Sequence, residues 1–138
     1  IDQAEQSLPE NPLKYKRILL VEDNELNMEI ARTILQDAKA EVEVAADGAI
    51  AVAMVQKASA GYYDVVLMDI QMPKMNGYQA TKAIRKLPDE RAQVPIIAMT
   101  ANAFEEDRKH ALDAGMDGFI MKPFRVDEMM KVIGEVME

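Results

Sequence analysis

The sequence predicts an α/β fold, a doubly wound parallel sheet of five strands with helices on both faces. Short apolar runs alternate five times with segments of helical pattern, and this alternation is typical of a parallel sheet. Because βαβ crossovers are right-handed, few topologies remain, and we favour the flavodoxin-like strand order 2-1-3-4-5. With 138 residues, 49% of them hydrophobic, the chain can form the core of one domain.

The five predicted strands are short apolar runs. The third is apolar at every position, which indicates burial on both faces of the sheet. Pro95 fits the first residues of the fourth strand. The predicted strands are Arg17–Val21, Val42–Ala46, Val65–Met68, Val94–Met99 and Gly118–Met121.

A helix is predicted after each strand. The first follows Asn24, a suitable N-cap, and has an apolar stripe of Ile30, Ala31, Ile34, Leu35 and Ala38. The second follows the Asp47-Gly48 turn. The remaining three are predicted at Gly77–Leu87, from the residues after Thr100 to about Ala114, and at Val126–Met137.

We predict that the segment before the first strand is a linker. Residues 1–15 are polar and contain Pro9 and Pro12, which break helices, so we place the folded domain at residues 16–138. The chain begins at Ile1 and not at Met, which suggests that it was cut from a longer protein.

Composition excludes several functions. The net charge of -8 argues against nucleic-acid binding by this domain. No apolar run approaches the roughly 20 residues of a membrane span, so we expect no membrane insertion. The absence of cysteine excludes disulfide and thiolate chemistry and fits a reducing compartment.

Polar side chains follow four of the predicted strands. They are Glu22 and Asp23, Asp69, Thr100 and Lys122, and the proposed strand order brings them to one edge of the sheet. Three neighbouring carboxylates repel each other unless a cation joins them, and an oxygen-only set suits Mg²⁺. Together with a lysine and a hydroxyl, these groups could stabilise a phosphoryl group in transfer. Asp69, the carboxylate on the central strand, is the candidate nucleophile.

These motifs, in this order, resemble those of response-regulator receiver domains in two-component signalling. The resemblance covers nearly the whole chain and is strongest to receivers fused to hybrid sensor histidine kinases. It is carried by Ile18–Asn24, Met68–Gly77, Met99–Ala103, Ala114–Gly118 and Lys122–Phe124.

The resemblance implies roles at the phosphorylation site. Asp69 would accept a phosphoryl group from a phosphohistidine, Lys122 would pair with the acyl phosphate, and Thr100 would hydrogen-bond a phosphoryl oxygen. Phe119 would be the switch aromatic, turning inward as Thr100 moves toward the phosphoryl group. The Lys122-Pro123 bond would be cis. The domain would then catalyse its own phosphorylation and dephosphorylation, and the parent protein could itself be a histidine kinase.

The resemblance also implies a Mg²⁺ site. Asp23 and Asp69 would bind the metal through carboxylates and Gln71 through its backbone carbonyl, whereas Glu22 would act mostly through water. Gln71 and Asn102 would flank the path of the attacking water. Because both are polar and uncharged, we expect intermediate rates of dephosphorylation.

The implied partner is a histidine kinase or a histidine phosphotransfer domain. Leu26 and Met28 fall off the buried stripe of the first helix and, with Phe124, would be the apolar docking contacts. Scattered surface apolar residues are an equal alternative. We favour a monomer and a cytoplasmic location, with tethering to a membrane-bound kinase as an option.

Other functions remain open at this point. An aspartyl-phosphate phosphatase needs a second acid where Gln71 stands, and a dinucleotide site needs glycines that the turn after the first strand lacks. A non-phosphorylated interaction module and a stand-alone single-domain response regulator are the more serious alternatives to a relay within a hybrid kinase.

Overall fold

The computed structural model describes residues 11–101 and 105–137. Within that part, the predicted parallel sheet and its strand order β2-β1-β3-β4-β5 are confirmed. The strands are β1 Arg17–Val21, β2 Glu41–Ala45, β3 Val65–Asp69, β4 Ile96–Thr100 and β5 Gly118–Met121.

Helices follow every strand. They are α1 Glu25–Asp37, α2 Gly48–Lys57, α3 Gly77–Arg85, α4 Glu105–Ala114 and α5 Val126–Met137, with a 3₁₀ turn at Glu90–Gln93. Asn24 is the N-cap of α1, as predicted, and its side chain accepts a hydrogen bond from Asn27 N at 2.9 Å. Asn76 and Gln79 form a capping box at the start of α3.

The sheet separates two hydrophobic clusters because successive strand residues face opposite sides. Leu19, Val66 and Ala98 pack with residues of α2, α3 and α4. Leu20 and Leu67 lie on the other side, with residues of α1 and α5. All five residues of β3 are buried, which confirms the prediction of a strand covered on both faces.

Some element boundaries differ from the predictions. β4 starts at Ile96 and not at Val94, although the carbonyl of Pro95 still accepts a hydrogen bond from Val66 N at 2.8 Å. α3 ends at Arg85, with Lys86 as its C-cap. Ile30, predicted within the buried stripe of α1, is 41% exposed.

The end of the predicted linker packs against the domain. Leu13 is fully buried in the cluster of α1 and α5, and Asn11 Nδ2 donates to the carbonyl of Ala38 at the C-terminal end of α1. A Cβ atom at Gly134 of α5 would lie 3.1 Å from the ring of Pro12. We call residues 11–15 the N-terminal strap. The sequence placed the whole of residues 1–15 in a linker because the segment is polar and contains prolines, and a single buried leucine has no periodic pattern. Residues 1–10 lie outside the described residues.

None of the helices in residues 11–101 and 105–137 is both long and apolar enough to cross a membrane.

Candidate functional site

The predicted site residues meet at the carboxyl edge of the sheet. Glu22 directly follows β1, Asp69 and Thr100 are the last residues of β3 and β4, and Lys122 directly follows β5. Because β1, β3, β4 and β5 are neighbours in the sheet, these four positions lie side by side.

Three carboxylates form the acidic part of the site. Glu22, Asp23 and Asp69 each place one carboxylate oxygen so that the three oxygens lie within 4.8 Å of one another. Glu22 and Asp69 are buried, whereas Asp23 is exposed to solvent. An all-oxygen donor set with one open side fits Mg²⁺, which keeps several of its waters.

Lys122 bridges the two buried carboxylates. Its Nζ lies 2.6 Å from Glu22 Oε1 and 3.4 Å from Asp69 Oδ2. The side chain of Lys122 is 15% exposed, so the ammonium group neutralises part of the acidic cluster in a largely dry environment.

The environment of Asp69 opposes its ionisation. Burial and the neighbouring Glu22 carboxylate raise the pKa of Asp69 to about 7, against the lowering effects of the Lys122 ammonium and a hydrogen bond from Gln71 N. Two buried acids with one lysine therefore leave unbalanced negative charge, and a divalent cation at this position would favour the ionised form of Asp69.

The loop between β3 and α3 is held against the site by backbone contacts. Gly77 N donates to the carbonyl of Ile70 at 3.0 Å. A Cβ atom at Gly77 would lie only 2.4 Å from the carbonyl oxygen of Asp69. The loop can therefore approach the end of β3 only because position 77 has no side chain.

Thr100 and Phe119 lie on neighbouring strands. Thr100 is 2% exposed, and its carbonyl accepts a hydrogen bond from Lys122 N at 2.7 Å. Phe119 is partly buried on β5. The Lys122-Pro123 bond is cis, as the resemblance implied. Asn102, expected to influence dephosphorylation, lies outside the described residues.

The expected docking residues differ in exposure. Leu26 is 70% exposed, but Met28 is partly buried and packs against the cluster of α1 and α5, as does Phe124. The placement of Met28 off the buried side was therefore wrong. It lies three residues before Ala31, on the buried side of α1. Ile30, four residues after Leu26, belongs to the exposed side instead.

The fold and the strand-end site define a receiver domain. The family model for the response regulator receiver domain matches residues 18–134, so the chain belongs to this family, and the resemblance read from the sequence is confirmed.

Its relatives include hybrid histidine kinases. The chain is 40% identical over 119 residues to hybrid signal transduction histidine kinase L of Dictyostelium discoideum, covering 85% of this chain and 7% of that protein. It is 41% identical over 119 residues to the sensor protein GacS of Pseudomonas syringae pv. syringae, covering 85% of this chain and 13% of that protein. The chain therefore spans only a small part of these relatives.

Solved structures have the same fold. The receiver domain of the sensor histidine kinase PA1611 from Pseudomonas aeruginosa PAO1 has a magnesium ion coordinated in its active site cleft. It is 38% identical to this chain with a TM-score of 0.80, covering 89% of this chain and 98% of that one. The chemotaxis protein CheY4 of Vibrio cholerae is 32% identical with a TM-score of 0.80, covering 88% of this chain and 98% of that one.

Proposed function

We propose that this receiver domain takes a phosphoryl group from a phosphohistidine onto Asp69. The observation that carries the proposal is the buried Asp69 carboxylate, which ends the central strand 3.4 Å from the Lys122 ammonium group and within the acidic cluster. A nucleophile, a fixed positive charge and a donor set for Mg²⁺ are thus in one place.

In the proposed reaction, a carboxylate oxygen of Asp69 attacks the phosphorus atom. A P–O bond forms and the P–N bond breaks, with its electron pair passing to the imidazole, which leaves neutral when its other nitrogen carries a proton. Lys122 pairs with the negative charge of the phosphoryl oxygens, and the Thr100 hydroxyl donates to one of them.

Mg²⁺ would be held by the carboxylates of Asp23 and Asp69 and by the backbone carbonyl of Gln71. Glu22, whose carboxylate contacts Lys122, would reach the metal through water. When bound, the cation supplies positive charge for the phosphoryl oxygens and relieves the repulsion among the three acids.

The test is incubation with Mg²⁺ and phosphoramidate, followed by intact-mass measurement. We expect a phosphoryl adduct on the unchanged chain and on Asp113→Asn, a matched change at an exposed acid of α4, but not on Asp69→Asn. If the unchanged chain gains no phosphoryl mass, the non-phosphorylated interaction module becomes the better description.

Gln71 and Asn102 provide a second test of the same site. We propose that both side chains influence the approach of the hydrolytic water. Replacing each with alanine should change the half-life of phosphorylated Asp69, and an unchanged half-life in both variants would refute this role.

We further propose that the phosphodonor is a histidine phosphotransfer domain or the histidine kinase region of the same protein, and that the relay operates in the cytoplasm. The match to hybrid kinases supports a relay over a stand-alone regulator. The exposed residues Leu26 and Ile30 lie one helical turn apart on α1. Only the N-cap Asn24 separates this helix from the Glu22-Asp23 pair, so a partner docked there would be close to Asp69.

The docking proposal is tested with Leu26→Glu. We expect slower transfer from a phosphorylated histidine phosphotransfer domain but unchanged phosphorylation by phosphoramidate. Leu112→Glu is the control, because Leu112 is a similarly exposed leucine on α4. Equal transfer rates in the two variants would contradict docking on α1.

A further inference from the structure

The ring of Phe119 lies beside an open groove between α4 and α5. The groove has a volume of about 610 Å³ and is lined by Phe119 together with Arg108, Leu112, Val132 and Val136. The guanidinium carbon of Arg108 lies 4.9 Å from the centre of the Phe119 ring, within the range of a cation–π interaction. Neither the motifs nor the resemblance singled out Arg108.

The strand register places Phe119 on the same face of the sheet as Thr100. Phe119 pairs with Ala98 and Met121 pairs with Thr100, so Phe119 and Thr100 are two positions apart along the strands and face the same side. A two-residue step along a strand is about 7 Å. A ring turned along β5 toward Met121 would therefore approach Thr100.

Helix α4, which carries Arg108, buries side chains only in its C-terminal half. Ala111 and Ala114, in its C-terminal half, are the buried residues of α4, all of which lies within the described residues. Helix α4 also contacts α3 through Tyr78, whose Oη donates to the carbonyl of Asp107 at 3.3 Å and whose ring meets that of His110 edge to face. Arg108 lies in the N-terminal half of α4, in which no residue is buried, and its guanidinium group contacts the Phe119 ring.

We propose that Arg108 is a positioning residue that holds the Phe119 ring in the groove and so opposes the phosphorylated arrangement of the switch. This inference rests on the proposed function and on the switch that the resemblance implies, in which Phe119 turns inward as Thr100 engages the phosphoryl group. The interaction between Arg108 and Phe119 exists only while the ring faces the groove, so its loss shifts the equilibrium toward the inward ring. A ligand that binds that arrangement then binds more tightly.

The experiment measures the binding of beryllofluoride, a phosphoryl mimic, to the Mg²⁺-saturated chain by NMR titration. An exposed cation–π pair is worth about a two- to fivefold change in equilibrium, so Arg108→Met should bind beryllofluoride about two- to fivefold more tightly. Lys109→Met is the matched control, because Lys109 is exposed on the same helix and its replacement removes the same charge.

A double-mutant cycle separates the ring interaction from a general effect of α4. In a Phe119→Leu background, which has no aromatic face, Arg108→Met should leave the affinity for beryllofluoride unchanged. Equal affinity in the unchanged chain and Arg108→Met, an equal gain in Lys109→Met, or a gain that persists with Phe119→Leu would each overturn the inference. If the unchanged chain itself fails to bind beryllofluoride, the proposed function fails and this inference fails with it.

Discussion

Replacing Lys122 by methionine should destabilise the metal-free domain, because it removes the cation between two buried carboxylates. The Nζ atom is 2.6 Å from Glu22 Oε1 and 3.4 Å from Asp69 Oδ2. At a pH above the pKa of Asp69, about 7, both carboxylates are ionised, and at an effective dielectric constant of about 20 the Coulomb attractions are about 6 and about 5 kcal/mol before desolvation. Desolvation of the ammonium group offsets part of this, and breaking buried ion pairs generally costs about 3–5 kcal/mol. We therefore expect a loss of about 3 kcal/mol.

Urea unfolding in EDTA measures this loss, with Lys82→Met as the control at an exposed lysine of α3. Added Mg²⁺ should stabilise Lys122→Met more than the unchanged chain, because the metal supplies positive charge to the same acids. A loss below about 1 kcal/mol, similar to that of the control, would refute the view that Lys122 compensates the acidic cluster.

Two further predictions concern packing. Gly77→Ala should cost about 1–3 kcal/mol, because its Cβ atom would overlap the backbone carbonyl of Asp69. Gly134→Ala in α5 should be close to neutral, because the helix gains from alanine about what the 3.1 Å contact with the Pro12 ring costs, and equal unfolding midpoints of the two variants would contradict this. Leu13→Ala should cost about 2–5 kcal/mol by leaving a cavity under the N-terminal strap. Leu112→Ala, at an exposed leucine, should stay within about 0.5 kcal/mol in the same denaturation assay, and an equally small effect of Leu13→Ala would show that the strap adds no stability.

The sheet and the strand-end site could be predicted because their signals are local. An unbroken apolar run such as Val65–Met68 indicates a strand that is buried on both faces of the sheet. The residue that follows a parallel strand lies at the carboxyl edge of the sheet, whichever helices pack around it. Right-handed crossovers then leave few strand orders, among which 2-1-3-4-5 is the favoured one. The meeting of Glu22, Asp69 and Lys122 was therefore predictable before their distances were known.

Features that depend on distant contacts could not be predicted. Arg85 illustrates this: Nε donates to the carbonyl of Gly115, Nη1 to those of Ala92 and Val94, and Nη2 to Asp117, which lie 7 to 32 residues away. This side chain joins the end of α3 to the start of β4 and to the turn before β5. Nothing in the local sequence distinguishes it from a solvent-exposed arginine at the end of a helix. The burial of Leu13 likewise depends on the helices that lie beside it. The partial burial of Met28, in contrast, follows from its position three residues before Ala31 and could have been predicted.

The helices on the two sides of the sheet differ in how much apolar surface would be exposed if they moved. On the side of α1 and α5, large side chains such as Leu35, Met129 and Ile133 are buried, so moving either helix would expose much apolar surface. On the other side, α4 buries Ala111 and Ala114, whose small side chains lose little when the helix moves. A rearrangement near Phe119 can therefore proceed while α1 stays in place. Under the proposed function, a partner docked on α1 would therefore meet the same surface before and after phosphorylation of Asp69.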